Sequence, residues 1–370
     1  MKKIRIGIIG VGIIAEDHLK KYQGIEDCEV VAACDIDQAR LDMMCQKYDI
    51  PYKYDNITQM LNRDDIDAVD VCLHNCLHAP VTIAALRAGK HVYCEKPMAG
   101  SYYDALEMYK AMQETGKMLH VQLAWLYTYN TKITKSMIDS GDLGHIYHAR
   151  SNGFRRRGRP YVDGYANKEF VNSEWSGGGA LFDMGVYYIS QLLYLLGNPE
   201  PLRISGHIYQ ETDIEPRRKE ISQYNVEEFA VGLVDFEDGL TMNITEAWAV
   251  HMDKFEGSCI MGSKGGIRLD PLSYHSNLHD FQMDSTFDQG AAEYRDTTVF
   301  SERMVYHDSQ RHWIAALQGV CPLLPTAEIA LNTQLIQEGI YLSTKLKRQV
   351  TSQEVKEASK SNKRIIPNLD

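Results

Sequence analysis

The first 125 residues alternate between apolar runs and helix-forming segments, and this pattern limits the fold more than any other feature. Apolar runs at IRIGIIG, EVVAACD, AVDVCL, HVYCEKP and LHVQLAW predict five strands. Four predicted helices separate them, near 13–23, 37–48, 78–88 and 101–115. Strict alternation of this kind is typical of a parallel sheet with right-handed crossovers. The sequence therefore predicts a doubly wound α/β domain over residues 1–123.

The turn after the first strand reads Gly10-Val11-Gly12-Ile13-Ile14-Ala15, a G-x-G-x-x-A pattern that opens a helix. In such a turn the first glycine permits the bend, and the second lets the backbone approach a pyrophosphate at the helix N-terminus. Asp35 ends the second strand, where a carboxylate accepts a hydrogen bond from the adenosine ribose. With Asp37 nearby and no arginine directly beside them, the pattern favours NAD over NADP. The alternative is a similar fold that binds no dinucleotide. The predicted contacts here are Gly10, Gly12, Ile13, Ile14 and Asp35.

Polar residues also follow the later strands, at the same predicted edge of the sheet as Gly12. Open α/β sheets bind their ligands at the carboxyl ends of the strands. The alternative is ordinary loop polarity, with Asn75 as a helix cap. His74 and His78 are spaced like a metal-binding pair, but no third ligand is evident, so we predict no metal site. The further predicted cofactor contacts are Leu73, His74, Asn75, His78, Glu95, Lys96 and Gln122.

Glu95-Lys96-Pro97 ends an otherwise apolar strand, close to where a nicotinamide ring would lie. A lysine there can hydrogen-bond a substrate oxygen and stabilise developing alkoxide charge. The alternative is a surface lysine that pairs with Glu95. The residue types alone do not decide between the two.

Beyond residue 145 the pattern changes to strands separated by turn signals, with hairpins predicted at FEDGL and GSKGG. This predicts a second, α+β domain over 124–352 with a large, mostly antiparallel open sheet, followed by a polar, solvated tail over 353–370.

Between two strands, the glycine-rich GGGALFDMGVY opens a helix on which Asp183 and Tyr187 lie four residues apart. An acid and a phenol on one face could form a wall of a sugar or polyol pocket; a solvated helix face is the alternative. Gln191 and Tyr194 continue the same stripe.

Arginines at positions 155, 156, 157 and 159 form a basic cluster in the second domain. One or two of them could reach the cofactor or the substrate, or the cluster could be a solvated strand end. The aromatic residues that follow could stack on a sugar. The candidate substrate-binding residues are Lys96, Arg155, Tyr161, Trp175, Asp183 and Tyr187.

Composition excludes several other classes of protein. A net charge of −11 argues against a general nucleic-acid or membrane-surface binder. No apolar stretch reaches the roughly 18 residues of a membrane span. The eight cysteines show neither C-x-x-C pairing nor zinc spacing, which favours reduced thiols in a cytoplasmic protein.

Three of these motifs together resemble the Gfo/Idh/MocA oxidoreductases: Gly10-x-Gly12-x-x-Ala15, AGKHVYCEKP at 88–97 and GGGALFDMGVY at 177–187. The resemblance extends over about residues 3–350. It implies a Rossmann domain, a C-terminal domain with an open sheet, and a homo-dimer or homo-tetramer assembled through that sheet. It also implies that Lys96 and Asp183 are catalytic.

Tyr187 falls where many members of that family have histidine, although sugar-oxidoreducing and dihydrodiol-type members have tyrosine. A phenol normally has a pKa near 10, against about 6.5 for imidazole. Inositol oxidation, usual for the histidine type, is therefore less expected. The leading hypothesis is hydride transfer between NAD(P) and a secondary alcohol or ketone of a sugar, glycoside or cyclitol, with Lys96, Asp183 and Tyr187 meeting at the nicotinamide. The alternatives are redox-assisted glycoside cleavage and a non-catalytic NAD-binding regulator.

Overall fold

The structure is a computed structural model that describes residues 2–366 and residue 369. It contains two compact units. Among the described residues the first comprises 2–122, 304–327, 361–366 and 369, and the second comprises 123–303 and 328–360.

The elements of the first 122 residues alternate as the sequence predicts. In chain order they are β1 (Ile4–Ile9), α1 (Ile13–Gln23), β2 (Cys28–Cys34), α2 (Gln38–Lys47), β3 (Tyr52–Tyr54), α3 (Ile57–Leu61), β4 (Ala68–Val71), α4 (Asn75–Arg87), β5 (His91–Cys94), α5 (Tyr102–Thr115) and β6 (Leu119–Val121).

Strands dominate the middle of the remaining chain and helices its end. The elements are α6 (Tyr129–Asp139), β7 (Ile146–Phe154), α7 (Ser173–Ser176), α8 (Ala180–Asp183), α9 (Gly185–Leu195), β8 (Arg203–Tyr209), α10 (Pro216–Ser222), β9 (Phe229–Asp235), β10 (Thr241–Ala247), β11 (Cys259–Gly262), β12 (Gly265–Leu269), β13 (Leu272–Leu278), β14 (Phe281–Thr286), α11 (Gln289–Tyr294), α12 (Ser309–Leu317), α13 (Thr326–Leu346), β15 (Val350–Thr351) and α14 (Ser352–Ala358).

The first unit is built on a six-stranded parallel sheet in the order β3-β2-β1-β4-β5-β6. The strand order reverses between β1 and β4, which is where open sheets of this type bind dinucleotides. Apart from the largely exposed edge strand β3, its strands are short, mostly apolar runs that are buried on both faces, as is typical of parallel strands. The later helix α12 belongs to this unit, because Trp313 is fully buried against Ile6 and Tyr93.

The second unit contains a nine-stranded sheet in the order β14-β13-β12-β11-β7-β10-β9-β8-β15. All pairs are antiparallel except β7 with β10. The FEDGL hairpin joins β9 to β10 with Asp238 at a φ of 56°, and GSKGG joins β11 to β12. The predicted fold class, a Rossmann-type domain followed by a mostly antiparallel α+β domain, is confirmed.

Three details differ from the sequence analysis. Strand β3 and helix α3 were not predicted, because each is too short to show a period. The stretch 304–327 belongs to the first unit, since α12 packs on one face of its sheet. The expected solvated tail over 353–370 is also different: α14 occupies its start, and residues 361–364 hydrogen-bond to the first unit.

Within the described part of the chain, no helix combines the length and the apolar character that crossing a membrane requires. All eight cysteines are free thiols, six of them buried.

Candidate active site

The glycine turn between β1 and α1 leaves space where the sequence pattern predicts a phosphate. Gly10 has a φ of 84°, and a Cβ built on it would lie 2.5 Å from the carbonyl oxygen of Cys72, so only glycine fits. Gly12 precedes the first turn of α1 in an extended conformation. Among the described residues, no atom lies within 4 Å of a Cβ built on Gly12. The open cradle and the N–H groups of the first turn fit a pyrophosphate.

Asp35 holds this turn through its carboxylate. Its Oδ2 accepts a hydrogen bond from Val11 N at 2.8 Å, and its Oδ1 accepts one from Asp37 N at 2.9 Å. Each carboxylate oxygen has a second lone pair, so Asp35 can also accept from a ribose hydroxyl. Arg40, which lies in α2, also holds the turn, because its Nε donates to Val11 O at 2.7 Å.

A cavity of about 380 Å³ adjoins the turn and lies entirely within the first unit. Gly10, Asp35, Ile36, Leu73 and Leu77 are among the residues that line it. Its volume falls within the range of small-molecule pockets. Two of the predicted cofactor residues that stand far apart in sequence, Asp35 and Leu73, therefore border one cavity.

The predicted cofactor residues after β4 differ in position: His74 and Asn75 stand at the start of α4, whereas His78 lies inside the helix. His74 precedes the first turn of α4 and Asn75 is its first residue, so the alternative that Asn75 is the helix cap does not hold. His78 is fully buried, with Nδ1 2.9 Å from Pro97 O and Nε2 2.9 Å from Leu73 O. Burial lowers the pKa of His78. Its side chain ties two strand ends together and has no surface for a cofactor, which corrects the prediction for that residue.

Glu95 belongs to a buried network of charged groups beneath the carboxyl end of β5. Its Oε2 accepts from Lys96 N at 3.0 Å, and its Oε1 lies 2.9 Å from His18 Nε2. The other ring nitrogen of His18 lies 2.8 Å from Asp70 Oδ2, which also accepts from the Tyr22 hydroxyl at 2.9 Å. Glu95 thus positions the Lys96 backbone rather than facing a cofactor. Lys96 itself is half-buried and is joined to Pro97 by a cis peptide bond.

His18 in this network is an imidazolium. Burial alone would lower its pKa, but the charge and hydrogen bond of Asp70, together with the contact to Cys72, outweigh burial and raise the pKa of His18 well above its usual value. Burial also opposes ionisation of Glu95, yet the hydrogen bond and the charge of His18 lower the pKa of Glu95. The two carboxylates and the ring therefore form one ionised group.

Cys72 lies at the edge of the same network. The ligand atoms of His18, Asp70 and Cys72 lie within 4.8 Å of one another, close enough to hold a metal ion. Both His18 nitrogens are already engaged by carboxylates, however, and burial raises the pKa of the Cys72 thiol. We interpret the three as a hydrogen-bonded group rather than a metal site.

Gln122 follows β6 and carries an acceptor that the rest of the described chain does not use. The residue is buried, and its Oε1 has no hydrogen-bond partner among the described residues. Its backbone N–H donates to Cys94 O at 2.9 Å, which fixes its place beside the end of β5. A buried orphan acceptor is costly unless a ligand donates to it, so it fits the amide of a nicotinamide.

In the second unit, Asp183 ends α8 and is held by two residues from the sheet. Its Oδ2 accepts from Trp248 Nε1 at 3.0 Å and lies 3.7 Å from Arg155 Nη1. Trp248 follows β10 and Arg155 follows β7, and these strands are parallel neighbours. The carboxylate is therefore fixed in position beside a guanidinium.

Tyr187 lies in the first turn of α9, beyond a break in the predicted helix at Met184. Its N–H bonds to Met184 O at 3.0 Å, so the spacing from Asp183 to Tyr187 still corresponds to about one helical turn. The Tyr187 ring packs on Trp125, with centroids 5.6 Å apart and planes at 31°. Gln191 does not continue a solvated stripe as expected: it is buried and donates to Thr131 Oγ1 at 2.8 Å.

The glycine run before Asp183 serves close packing rather than ligand binding. A Cβ on Gly179 would lie 1.9 Å from the carbonyl oxygen of Glu227. The buried Glu227 carboxylate accepts from the N–H groups of Gly179 and Leu181, each at 2.8 Å, and from the Tyr341 hydroxyl. It thereby caps the start of α8 and sets the position of Asp183.

The basic cluster separates into arginines with different roles. Arg159 is buried and pairs with Asp163 at 2.8 Å and with Glu228 at 2.9 Å, so it is structural. Arg157 is exposed and also pairs with Asp163. Arg155, which contacts Asp183, is the arginine that can serve a substrate.

The two aromatic candidates lie in the segment between β7 and α8. Tyr161 is partly exposed and lines a surface cavity with Arg218 and Ile221. Trp175 lies in the short helix α7 and is half-buried. Their predicted contact with a sugar stays a prediction.

Sequence reasoning missed Trp125 and Trp248, which contact Tyr187 and Asp183. Each follows a strand-like run, and tryptophan is rare in this chain, with four residues in all. The rarity of tryptophan was the feature of the sequence that could have pointed to these two residues. It also missed His18, whose role depends on two carboxylates that are 52 and 77 residues away in sequence.

Both units contain a region that matches a known protein family. Residues 4–123 match an oxidoreductase family with an NAD-binding Rossmann fold, and residues 131–268 match the GFO/IDH/MocA C-terminal domain. D-glucoside 3-dehydrogenase of Escherichia coli is 29% identical over 282 residues, which is 74% of this chain and 79% of that protein.

Two further matches cover different amounts of the chain. Inositol 2-dehydrogenase of Salmonella paratyphi B is 37% identical over 153 residues, which is 40% of this chain and less than half, 45%, of the relative. The WlbA dehydrogenase of Chromobacterium violaceum, crystallised with NADH and UDP-GlcNAcA, superposes with a TM-score of 0.76 at 24% identity, over 95% of this chain and 96% of that one. This last likeness shows the fold alone.

The two domain matches lie in the expected order and cover most of the chain. The motifs that suggested the family fall within them, as does the glycine turn whose geometry fits a pyrophosphate. The first unit is an NAD-binding Rossmann domain, and the chain is a member of the GFO/IDH/MocA oxidoreductase family.

Proposed function

We propose that this protein is an NAD-dependent dehydrogenase that interconverts a secondary alcohol and a ketone on a sugar, a glycoside or a cyclitol. The observation that carries the proposal is the cluster in the second unit. There Asp183 is held by Trp248 and Arg155, about one helical turn from Tyr187 on Trp125. Apolar aromatic faces with a few fixed polar groups are typical of small-molecule sites. The names of the relatives, D-glucoside 3-dehydrogenase and inositol 2-dehydrogenase, favour the same class of substrate.

NAD, when bound, supplies the hydride acceptor. Gly10, Gly12 and the first turn of α1 would hold its pyrophosphate, and Asp35 would accept from the adenosine ribose. The same carboxylate would repel a 2′-phosphate, which favours NAD over NADP. Gln122 would accept from the carboxamide through its unpartnered Oε1.

Three side chains of this protein would act on the substrate. Lys96 would hydrogen-bond the reacting oxygen and stabilise the charge that develops on it. Tyr187 would take the hydroxyl proton as the hydride leaves the same carbon, and would return a proton to the carbonyl in the reverse direction. Asp183 would accept from the reacting or neighbouring hydroxyl and orient it.

The test is a panel of sugars, glycosides and cyclitols, followed by NADH absorbance and by product mass. Lys96→Ala should lower turnover at least 100-fold while NAD affinity changes little. Lys110→Ala is the matched control, because Lys110 is a half-exposed lysine of the same unit whose ion pair, within the described residues, is with Glu107 on its own helix. Near-normal turnover in the Lys96 variant would remove this residue from the mechanism.

The same panel separates the alternatives. Cleavage of a glycoside without net NADH would indicate the redox-assisted cleaving enzyme. Tight NAD binding without turnover of any compound would indicate the regulator. The cytoplasmic location and the homo-oligomer formed through the second sheet stay predictions; light scattering on the purified protein measures the latter.

A further inference from the structure

We propose that the segment 361–366 together with Leu369, here called the return segment, forms one wall of the pocket that takes the adenine ring of NAD. The inference rests on the NAD-binding assignment of the first unit. It goes beyond that assignment by adding residues that lie far from the glycine turn in sequence.

The return segment is anchored at one buried carboxylate. Asp104, in the first turn of α5, accepts from Ser361 Oγ at 2.6 Å on one oxygen. Its other oxygen accepts from the N–H groups of Asn362 at 2.9 Å and Lys363 at 3.1 Å. Asp104 itself is 1% exposed. Three hydrogen bonds to one enclosed carboxylate fix the segment against the Rossmann domain.

Two further contacts fix its direction. A Cβ on Gly100 would lie 2.3 Å from Asn362 Oδ1, so this glycine lets the segment approach the chain ahead of α5. Arg364 N then donates to Cys76 O at 3.1 Å, in the first turn of α4. The segment thus crosses from α5 to the N-terminal end of α4, at the edge of the sheet where β4 ends.

Beyond Arg364 the segment reaches the cavity beside the glycine turn. Ile365, Ile366 and Leu369 line the same 380 Å³ cavity as Gly10 and Asp35. The turn and the carboxylate mark where the phosphates and the adenosine ribose bind, so the base attached to that ribose must occupy the adjoining space. In that space the return segment provides aliphatic side chains.

The chemistry of this wall fits a purine. Ile36, which directly follows the ribose carboxylate, is 94% exposed, and Ile365 is 92% exposed. Both adjoin the cavity, and both leave apolar surface in water. A flat aromatic base would cover such surface on its faces, and removing apolar area from water favours binding. The wall therefore recognises the adenosine half of the dinucleotide and not its nicotinamide half.

The experiment measures binding of ADP-ribose, which lacks nicotinamide, by calorimetry. Two variants are compared with the wild type: Ile365→Asp, and a chain that ends at Lys360. Loss of about 50 Å² of apolar contact corresponds to about tenfold in affinity. We expect the Kd of ADP-ribose to rise about tenfold in both. Val320→Asp, at another exposed apolar residue of the same unit, is the matched control and should bind as the wild type does.

The thermal melting point of each variant accompanies the binding measurement. Ile365→Asp should melt as the wild type does, because its side chain is almost wholly exposed. Unchanged ADP-ribose affinity in Ile365→Asp and in the shortened chain would overturn the proposal, and so would an equal loss of affinity in Val320→Asp. Failure of the wild type itself to bind ADP-ribose would overturn the NAD assignment on which the proposal depends, and is thereby distinguishable.

Discussion

Replacing His18 with leucine should destabilise the first unit by about 3–5 kcal/mol at neutral pH, the usual result of removing one partner of a buried ion pair. His18 is 1% exposed and lies within 2.9 Å of carboxylate oxygens of Asp70 and Glu95. Without the imidazolium, two negative charges remain buried together. The loss is read from urea unfolding followed by circular dichroism.

The effect should depend on pH in a defined way. The folded pKa of His18 is raised, so its contribution is complete below its unfolded pKa of about 6.5 and is lost as pH rises through the folded value. The folded pKa of Glu95 is lowered, so its contribution is present above about 4.5 and is lost as pH falls through the folded value. The difference between wild type and variant should therefore be greatest between about pH 4.5 and 6.5.

A control and a second variant make the test decisive. His251→Leu removes an exposed histidine and should change the free energy of unfolding by no more than about 0.5 kcal/mol. Adding Glu95→Gln to the His18 variant should recover part of the loss, because one of the two buried charges is then absent. A loss below about 1 kcal/mol at pH 6, or no recovery in the double variant, would refute the interpretation of this network as an ionised group.

Three further changes test other parts of the structure. Gly12→Ala should leave the melting point unchanged, because its Cβ meets no neighbour, yet weaken NAD at least tenfold in a binding titration by filling the phosphate cradle. Burial raises the pKa of Glu246 to about 8, so the free energy of unfolding of the wild type should fall between about pH 4.5 and 8; Glu246→Gln should flatten that part of the curve. Arg159→Ala should destabilise the protein by about 3–5 kcal/mol in urea, because the buried Glu228 carboxylate loses its cationic partner and Asp163 loses the buried one of its two, whereas the exposed Arg157→Ala should change it by under about 1 kcal/mol.

The parts of the fold that sequence reasoning predicted are those in which a local period decides the structure. Helix α1 and strand β1 carry their signal in consecutive residues, and Gly10 carries its own in the turn it must make. The second unit was predicted less closely. Its predicted helix is divided at Met184, and the start of α8 is capped by Glu227, which lies far away in sequence.

The parts that were not predicted depend on contacts between distant residues. His78 was expected at the cofactor because of its neighbours in sequence, but its ring is enclosed by carbonyls from two strand ends. Trp248 and Arg155 come together at Asp183 because the strands that they follow, β10 and β7, run side by side. No period or motif in a single segment encodes such a pairing.

The connectivity of the first unit also has a consequence for how the protein is made. Trp313 closes the face of the sheet that includes Tyr93, and the backbone of Asn362 and Lys363 occupies the carboxylate of Asp104. A ribosome that has released only the first 122 residues has therefore synthesised the glycine turn, but not the helix that covers Tyr93 or the donors that satisfy Asp104. A nascent chain would therefore expose an apolar face of the nucleotide-binding sheet until the helix at Ser309–Leu317 has emerged.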